Sequence, residues 1–109
     1  MEMVNERFAI FLVKLDPVMG AETAKTRPCV IVSPNELNRC VATVIIAPMT
    51  VVRRDWPTRV PVSFQNKIGE IALDQIRAVD KSRLVKRLGK LNSTTASAVL
   101  DALGEMFAP

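Results

Sequence analysis

Short apolar runs, separated by polar segments that carry proline or glycine, make up most of the first ninety residues. Runs of this length, rich in β-branched residues and bounded by turn residues, are typical of strands. The predicted strands cover residues 8–15, 29–33, 43–49, 60–64, 70–74 and 85–91. In the fourth of these, Pro61 and Ser63 alternate with apolar residues. Because proline cannot donate to a sheet ladder, this run is predicted to be an edge strand.

The C-terminal segment follows a helical period instead. Five apolar residues recur there at helical spacing: Val99, Leu100, Leu103, Met106 and Phe107. That stripe predicts an amphipathic helix packed on the sheet, with Asn92 as a candidate N-cap. Six short strands followed by one helix predict a mainly β protein, a small and strongly bent antiparallel barrel with a C-terminal α-helix.

Shorter features complete the predicted outline. Helical turns are expected at residues 35–39 and 81–83, capped by Asn35 and Asp80 respectively. Residues 66–69, Asn-Lys-Ile-Gly, are expected to form a turn before the next strand. No repeat, low-complexity tract or linker divides the sequence, so one domain spanning residues 1–109 is expected.

Composition and charge predict where the protein acts and what kind of partner it binds. No apolar stretch approaches the roughly 20 residues of a membrane helix, and the N-terminus lacks the pattern of a signal peptide, so we expect a cytoplasmic protein without membrane contact. The net charge is +4, and between Arg77 and Lys90 six basic residues face one acid. This excess favours an anionic partner, either nucleic acid or an acidic protein tail, although ordinary solubility is the alternative explanation for a modest charge.

Metal and redox chemistry find little support in the sequence. Cys29 and Cys40 have neither Cys-x-x-Cys spacing nor a histidine partner, which argues against zinc and dithiol chemistry. Cys29 lies in an apolar run and is expected to be a small buried hydrophobic residue. We therefore expect neither a metal nor a cofactor.

Candidate chemistry lies at the ends of predicted strands. Arg27 precedes Pro28, which disfavours helical backbone and should hold Arg27 extended at a strand edge. Thr50 closes the strand TVIIAPMT, and Asp74, Gln75 and Arg77 follow a third strand. The chain has no histidine and no tyrosine, so chemistry on a phosphate would have to use arginine, threonine and carboxylates. This combination points towards a small, metal-free ribonuclease.

Three segments also resemble a known family. The segments GAETAKTRPCVIVSPNELN, TVIIAPMT and ALDQIRAVDKSRLVKRLGKL resemble the MazF/PemK (Kid-type) toxins of bacterial type II toxin–antitoxin systems, over about residues 8–107. The resemblance implies an SH3-like barrel, a homodimer, and a sequence-specific endoribonuclease that cleaves single-stranded mRNA without a metal and arrests translation. It also implies a cognate antitoxin whose acidic, disordered tail covers the active groove, with DNA contacted only through that antitoxin.

The resemblance assigns catalytic roles to Arg27, Thr50 and Glu22. Arg27 can stabilise charge that develops on the phosphate, whereas the acid–base role that the resemblance also implies is awkward for a group with a pKa above about 12. Thr50 can donate to a phosphate oxygen, or it can simply satisfy a turn at a strand end. Glu22 would orient Arg27 or act as the base, or else be a solvated loop acid. The expected products carry 2′,3′-cyclic phosphate and 5′-hydroxyl ends.

Further residues are predicted to bind RNA. They are Arg53, Arg54, Trp56, Asp74, Gln75 and Arg77. The loop that holds the first three suits phosphate contact and base stacking, although the tryptophan can instead pack on the barrel or receive an antitoxin side chain. Asp74 and Arg77 would point to opposite faces of an unbroken strand, so one of them can support the barrel or the dimer instead.

Two departures from the family pattern are present, and of these only Lys25 favours keeping a degenerate barrel as an alternative. Lys25 and Thr26 stand where family members often carry glycine and histidine, which leaves the loop conformation and the RNA specificity undetermined. Arg7-Phe8-Ala9 replaces the Arg-Gly-Asp that often begins the first strand. The alternatives are a CcdB-like toxin that poisons gyrase, and a degenerate barrel that binds antitoxin or RNA without cleaving.

Overall fold

A curled antiparallel sheet dominates the computed structural model, which describes residues 5–15 and 26–109. The strands are β1 (Ala9–Lys14), β2 (Thr26–Ile31), β3 (Thr43–Thr50), β4 (Arg59–Phe64), β5 (Lys67–Ala72), β6 (Arg77–Asp80) and β7 (Leu84–Lys90). The helices are α1 (Asn35–Cys40) and α2 (Ser93–Met106), with single 3₁₀ turns at Leu73–Gln75 and Lys81–Arg83. No helix within the described ranges has both the length and the apolar character needed to cross a membrane.

Strand β3 is the centre of the sheet. The order is β4-β5-β3-β2-β1-β7, and β6 also pairs with β3. The first half of β3 pairs with β6, whereas Met49 and Thr50 at its end pair with β5. The two ends of β3 thus pair with different strands. A short antiparallel sheet curls towards a barrel when one strand changes partners along its length in this way. The predicted mainly β, SH3-like antiparallel barrel with a C-terminal helix is confirmed.

Both faces of the central strands are buried. Successive side chains of a strand point to opposite faces, and here each face meets its own apolar cluster. Ile10, Val30 and Ala47 pack in the cluster that also receives Val99 of α2. Phe11, Cys29 and Ile46 belong to the second cluster. This arrangement explains why β1 to β3 are continuous apolar runs, and it confirms that Cys29 is a buried hydrophobic residue.

The predicted turn at residues 66–69 was wrong. Strand β5 already begins at Lys67, and the turn consists of Gln65 and Asn66, with φ angles of 52° and 63°. Two consecutive residues with positive φ form the two-residue hairpin that matches the twist of antiparallel strands. The β4–β5 hairpin is consequently tight, and β4 lies at the edge of the sheet, as its proline predicted.

Two of the three predicted helix caps are confirmed. The side chains of Asn92 and Asp80 accept hydrogen bonds from the backbone N–H groups of Thr95 and Ser82. Asn35 is not a cap, because Pro34 occupies that position. The Asn35 side chain instead accepts a bond from the backbone N–H of Arg7 at 2.7 Å, and so ties the N-terminal segment to α1.

The apolar stripe of α2 is buried only in part. Val99 is fully buried, and Leu103 and Met106 pack against the first cluster. Leu100 and Phe107 are 40% and 71% exposed, so the prediction that they belong to the packed face was wrong. They leave an apolar strip on the outside of the helix.

Gly69 brings β5 unusually close to β3. A Cβ built on Gly69 would lie 2.3 Å from the backbone oxygen of Thr50, well inside contact distance. Thr50 pairs with the next residue, Glu70, in the β3–β5 register. The end of β3, where Thr50 lies, therefore requires a glycine on the neighbouring strand.

Replacing Gly69 by alanine should destabilise the protein. We expect Gly69→Ala to lower the free energy of unfolding by roughly 1–3 kcal/mol, because the clash involves backbone and forces the strands apart. Gly104→Ala is the matched control: its Cβ would meet nothing within 4 Å. In a helix it should raise stability by roughly 0.5–1 kcal/mol. Urea unfolding of both variants tests this, and a Gly69→Ala protein as stable as the wild type would contradict it.

Candidate active site

A groove of about 310 Å³ lies beyond the ends of β2 and β3. Its lining residues are Leu15, Arg27, Pro48, Thr50, Val52, Arg54, Arg59, Ala72 and Gln75. Four residues predicted from sequence thus come together here, although they are up to 48 positions apart in the chain, from Arg27 to Gln75. Three arginines line the groove, and no acidic residue does so among the residues that the structure describes.

The strand register places Arg27 and Thr50 at the same end of the sheet. Cys29 of β2 pairs with Pro48 of β3. Arg27 lies two residues before Cys29 and Thr50 two residues after Pro48, so both side chains belong to the face of that pair. Arg27 is half-buried, and the described part of the chain offers it no ion-pair partner. Its side chain lines the groove, where a guanidinium can bind the oxygens of an anion.

The Thr50 hydroxyl combines a structural and a functional capacity. Its oxygen accepts a hydrogen bond from the backbone N–H of Val52 at 3.1 Å, which is the strand-end turn considered as the alternative role. A hydroxyl that accepts one bond still has its own proton to donate. Thr50 can therefore fix the start of the next loop and also donate to a ligand in the groove.

Two predicted features cannot be placed against this groove. The predicted catalytic acid Glu22 and the unusual Lys25 lie outside the described residues. Thr26, the other departure from the family pattern, is the exposed first residue of β2. Glu22 therefore stays a prediction.

Glu70 organises the loop that connects β3 to β4, residues 51–58, which we call the basic loop. Only 1% of this glutamate is exposed, and its carboxylate accepts four hydrogen bonds. The backbone N–H groups of Arg54 and Asp55 donate at 2.9 and 3.0 Å. Arg53 Nε and Arg59 Nη1 donate at 3.2 Å each. A buried acid thus links the loop backbone to two guanidinium groups.

Arg59 joins this acid to a second one. Its side chain is 5% exposed, and Arg59 Nε donates to Asp74 Oδ1 at 2.7 Å while Nη1 reaches Glu70. Thr58 Oγ1 also donates to Asp74, at 2.9 Å. Asp74, predicted to bind RNA, thus already accepts hydrogen bonds from Arg59 and Thr58. This agrees with the alternative role, in which Asp74 supports the barrel. The strand predicted at residues 70–74 was wrong at its end, because Leu73–Gln75 forms a 3₁₀ turn.

Trp56 lies over the same network. The Arg59 guanidinium is 4.8 Å from the centre of the Trp56 ring, and that of Arg54 is 5.9 Å away. Both distances are within the range of cation–π attraction. Trp56 is nevertheless 49% exposed. Its ring is therefore supported by cations and still offers area to a ligand.

The carboxylates of the network are held in their charged form. Burial alone would raise the pKa of Glu70, but the bonds from the Arg54 and Asp55 amides and from two arginines outweigh burial and lower that pKa to about 2. The pKa of Asp74 is lowered chiefly by its bond from Arg59. The same acids raise the pKa values of Arg53 and Arg59. The network is fully ionised at neutral pH.

Arg77 lies outside the groove lining but close to the same strand. It is the exposed first residue of β6 and pairs with Ile46 in the register. Burial raises the pKa of the Cys29 thiol to about 12, while the nearby charges of Arg27 and Arg77 act in the opposite direction. Both arginines therefore lie near Cys29, and Cys29 itself stays protonated and unreactive.

The sequence interpretation missed Glu70, Arg59 and Gly69. A signal was present, because Glu70 is a charged residue directly before the apolar run 71–73, and a buried charge requires a partner. What the sequence could not supply was the partner, since Arg59 and the basic loop lie 11 to 17 positions away. Only the hairpin register brings them to the carboxylate.

Comparisons with known proteins agree with this fold. A sequence profile described as PemK-like, MazF-like toxin of type II toxin-antitoxin system matches residues 6–107. An endoribonuclease in complex with its cognate antitoxin, from mycobacterial species, is 26% identical with a TM-score of 0.78, covering 95% of this chain and 96% of that one. A further mycobacterial endoribonuclease is 27% identical, with a TM-score of 0.76 and coverage of 92% and 88%. MazE-MazF from Deinococcus radiodurans (21% identity, TM-score 0.80, coverage 96% of each chain) shows the shared fold.

The lowered pKa of Glu70 predicts how stability depends on pH. A carboxylate with a lowered folded-state pKa contributes stability that is complete above its ordinary value of 4.5 and is lost as the pH falls through about 2. Wild type should therefore exceed Glu70→Gln in stability at neutral pH, and the difference should shrink between pH 4.5 and about 2.

Urea unfolding midpoints across that range measure the effect. Glu105→Gln is the matched control, since Glu105 is exposed on α2 and forms no ion pair within residues 5–15 and 26–109. Its midpoint should follow that of the wild type at every pH. A difference between wild type and Glu70→Gln that stayed constant over the whole range would contradict the prediction.

Proposed function

Because the chain belongs to the PemK-like, MazF-like toxins of type II toxin–antitoxin systems, we propose that it is a metal-independent, sequence-specific endoribonuclease. It cleaves single-stranded mRNA in the cytoplasm, and the loss of message arrests translation and growth. The observation that carries the proposal is the groove itself, where Arg27 and the Thr50 hydroxyl share a lining with three arginines and no acid among its described residues. Such a lining suits a phosphate of the RNA backbone.

The proposed reaction is an internal transfer at one phosphate. The ribose 2′-oxygen forms a bond to phosphorus, the bond from phosphorus to the 5′-oxygen breaks, and the products carry a 2′,3′-cyclic phosphate and a 5′-hydroxyl. The 2′-hydroxyl gives its proton to a base, the leaving 5′-oxygen takes a proton from water, and the protonated base then returns its proton to that hydroxide, so no net proton is gained or lost. Arg27 and Thr50 donate hydrogen bonds to the non-bridging oxygens, where negative charge grows in the transition state.

The proton acceptor is proposed to be Glu22. Arginine stays protonated in proteins, so Arg27 serves as an electrostatic group and not as the base. A carboxylate in the segment preceding Arg27 supplies the missing acceptor, as general base catalysis requires. Arg27, Thr50 and Glu22 are thus the proposed catalytic residues, and none of their steps uses a metal or a cofactor.

RNA is proposed to bind along the basic loop and the 3₁₀ turn. The Arg54 side chain lines the groove beside Gln75 and can contact a phosphate there, while Arg53 and Arg77 extend the cationic surface. Trp56 offers a half-exposed ring on which one unstacked base can lie. Stacking of this kind needs bases that are not paired, which favours a single-stranded substrate.

Two protein partners are also proposed. An antitoxin with an acidic, disordered tail would cover the same groove by charge complementarity, and the similar mycobacterial endoribonuclease is in complex with its cognate antitoxin. A homodimer is supported by large apolar side chains on the surface, among them Ile68 at 67% and Phe107 at 71% exposed. DNA contact would be indirect, through the antitoxin.

The decisive experiment is RNA cleavage in EDTA by wild type and by Arg27→Ala. We expect discrete cuts with cyclic-phosphate ends from the wild type. Removing one donor that stabilises the transition state should lower kcat about 10²- to 10³-fold. Arg39→Ala is the matched control, because Arg39 is exposed on α1, before β3 begins, whereas Thr50 ends that strand. This control should cleave like the wild type.

Other outcomes of this experiment are equally informative. Persistent cleavage by Arg27→Ala would keep the function and move the catalytic centre towards Thr50 or Arg77. Absence of cleavage by folded wild type, free of antitoxin, would contradict the proposed function. If such a protein caused DNA breaks in cells, the CcdB-like alternative would replace it.

A further inference from the structure

The basic loop lacks the contacts that usually fix a loop. Residues 51–57 are exposed, including Val51, Val52 and Trp56 at 64%, 51% and 49%. Burial of apolar side chains therefore does not set its conformation. Polar contacts do so, and the buried member of most of them is Glu70.

We propose that Glu70 is the positioning residue that presents the basic loop, together with its Trp56, in the conformation that binds RNA. This inference rests on the proposed function. Glu70 is 1% exposed and lies behind the loop, so it does not itself touch the RNA. Its effect is transmitted through the backbone of Arg54 and Asp55, the two residues directly before Trp56 in sequence.

The geometry requires a carboxylate at this position. Glu70 Oε1 accepts from the Arg54 N–H and from Arg59, and Oε2 accepts from the Asp55 N–H and from Arg53. Each oxygen thus faces two donors. A glutamine amide would turn its NH₂ group, which only donates, towards two donors at one of these places. Glutamine has nearly the same shape, so Glu70→Gln removes one of the two acceptors that hold the loop amides with little change of volume.

The same contacts give the arginines different roles. Arg53 and Arg59 share the single negative charge of Glu70, and Arg59 supports the Trp56 ring at 4.8 Å. Arg54 is held to Glu70 only by its backbone, which leaves its side chain in the groove. The backbone N–H groups of Arg54 and Asp55 converge on one carboxylate, and Asp55, with a φ of 56°, then takes the left-handed conformation. The loop is therefore arranged before RNA arrives.

The test uses the single tryptophan of the chain as a reporter of the loop. Acrylamide quenching of Trp56 fluorescence should increase about twofold in Glu70→Gln, because the ring loses its support on Arg59. In the cleavage assay, KM should rise roughly tenfold while kcat changes less than about threefold, since the lost contacts act on binding. Glu6→Gln is the matched control: Glu6 accepts from Arg87 and Lys90 and lies outside the groove lining. It should change neither quantity.

A purely structural role predicts a different result. Loss of stability alone would lower the folded fraction, and hence the apparent kcat, but would leave the KM and the Trp56 quenching of the folded protein unchanged. That outcome in Glu70→Gln, with an active wild type, would overturn this inference alone. A wild type that leaves RNA intact would overturn the proposed function, and with it the RNA-binding part of the inference.

Two further measurements cover a variant that fails to fold. Glu70→Asp keeps the charge but shortens the side chain by one methylene, which lengthens its bonds to the loop amides, so it should show the same rise in quenching and KM. In wild type, the amide hydrogens of Arg54 and Asp55 should exchange slowly although the loop is exposed, because Glu70 accepts both. Exchange as fast as that of a free peptide would overturn the inference without any variant.

Discussion

The conformation of the site depends on one buried carboxylate. Glu70 is removed from water, which by itself opposes ionisation, and four donors restore the charged form. Buried ion pairs of this kind are weak sources of net stability, since well-packed apolar residues often do as well. They do impose one arrangement on their partners, because each donor must be satisfied. Here the partners include the backbone of the basic loop. The network therefore holds the loop residues that line one side of the groove.

Much of the framework follows from the pattern of apolar residues. Strands β1 to β3 are buried on both faces, and such strands read as continuous apolar runs in the sequence. The α2 stripe and the Asn92 cap follow from helical spacing and from a short polar side chain at the helix start. These features are local, so the sequence nearby contains enough information to predict them.

The errors arise where a distant contact overrides a local preference. Asn35 has the side chain of a typical N-cap. Its side-chain oxygen instead accepts a hydrogen bond from the backbone N–H of Arg7, which is distant in sequence. Strand β5 ends at Ala72 and a 3₁₀ turn follows, where Asp74 accepts bonds from Thr58 and Arg59. Local sequence contains no trace of either partner. Prediction of the candidate site was limited in the same way. Arg27 and Thr50 can be recognised at strand ends, whereas the role of Glu70 depends on partners that only the hairpin register brings to it.

The placement of acids separates arginines that look alike in sequence. Arg53 and Arg59 each lie 3.2 Å from Glu70 and share its single negative charge. Arg27 has no such neighbour in the described part of the chain and lies in a groove whose described lining contains no acid. A cation that is partly desolvated and unpaired attracts an anion more strongly than one already in an ion pair. The same acid therefore holds the loop that forms one wall of the groove. Because it pairs with Arg53 and Arg59 and not with Arg27, it leaves the charge of Arg27 where a phosphate can reach it.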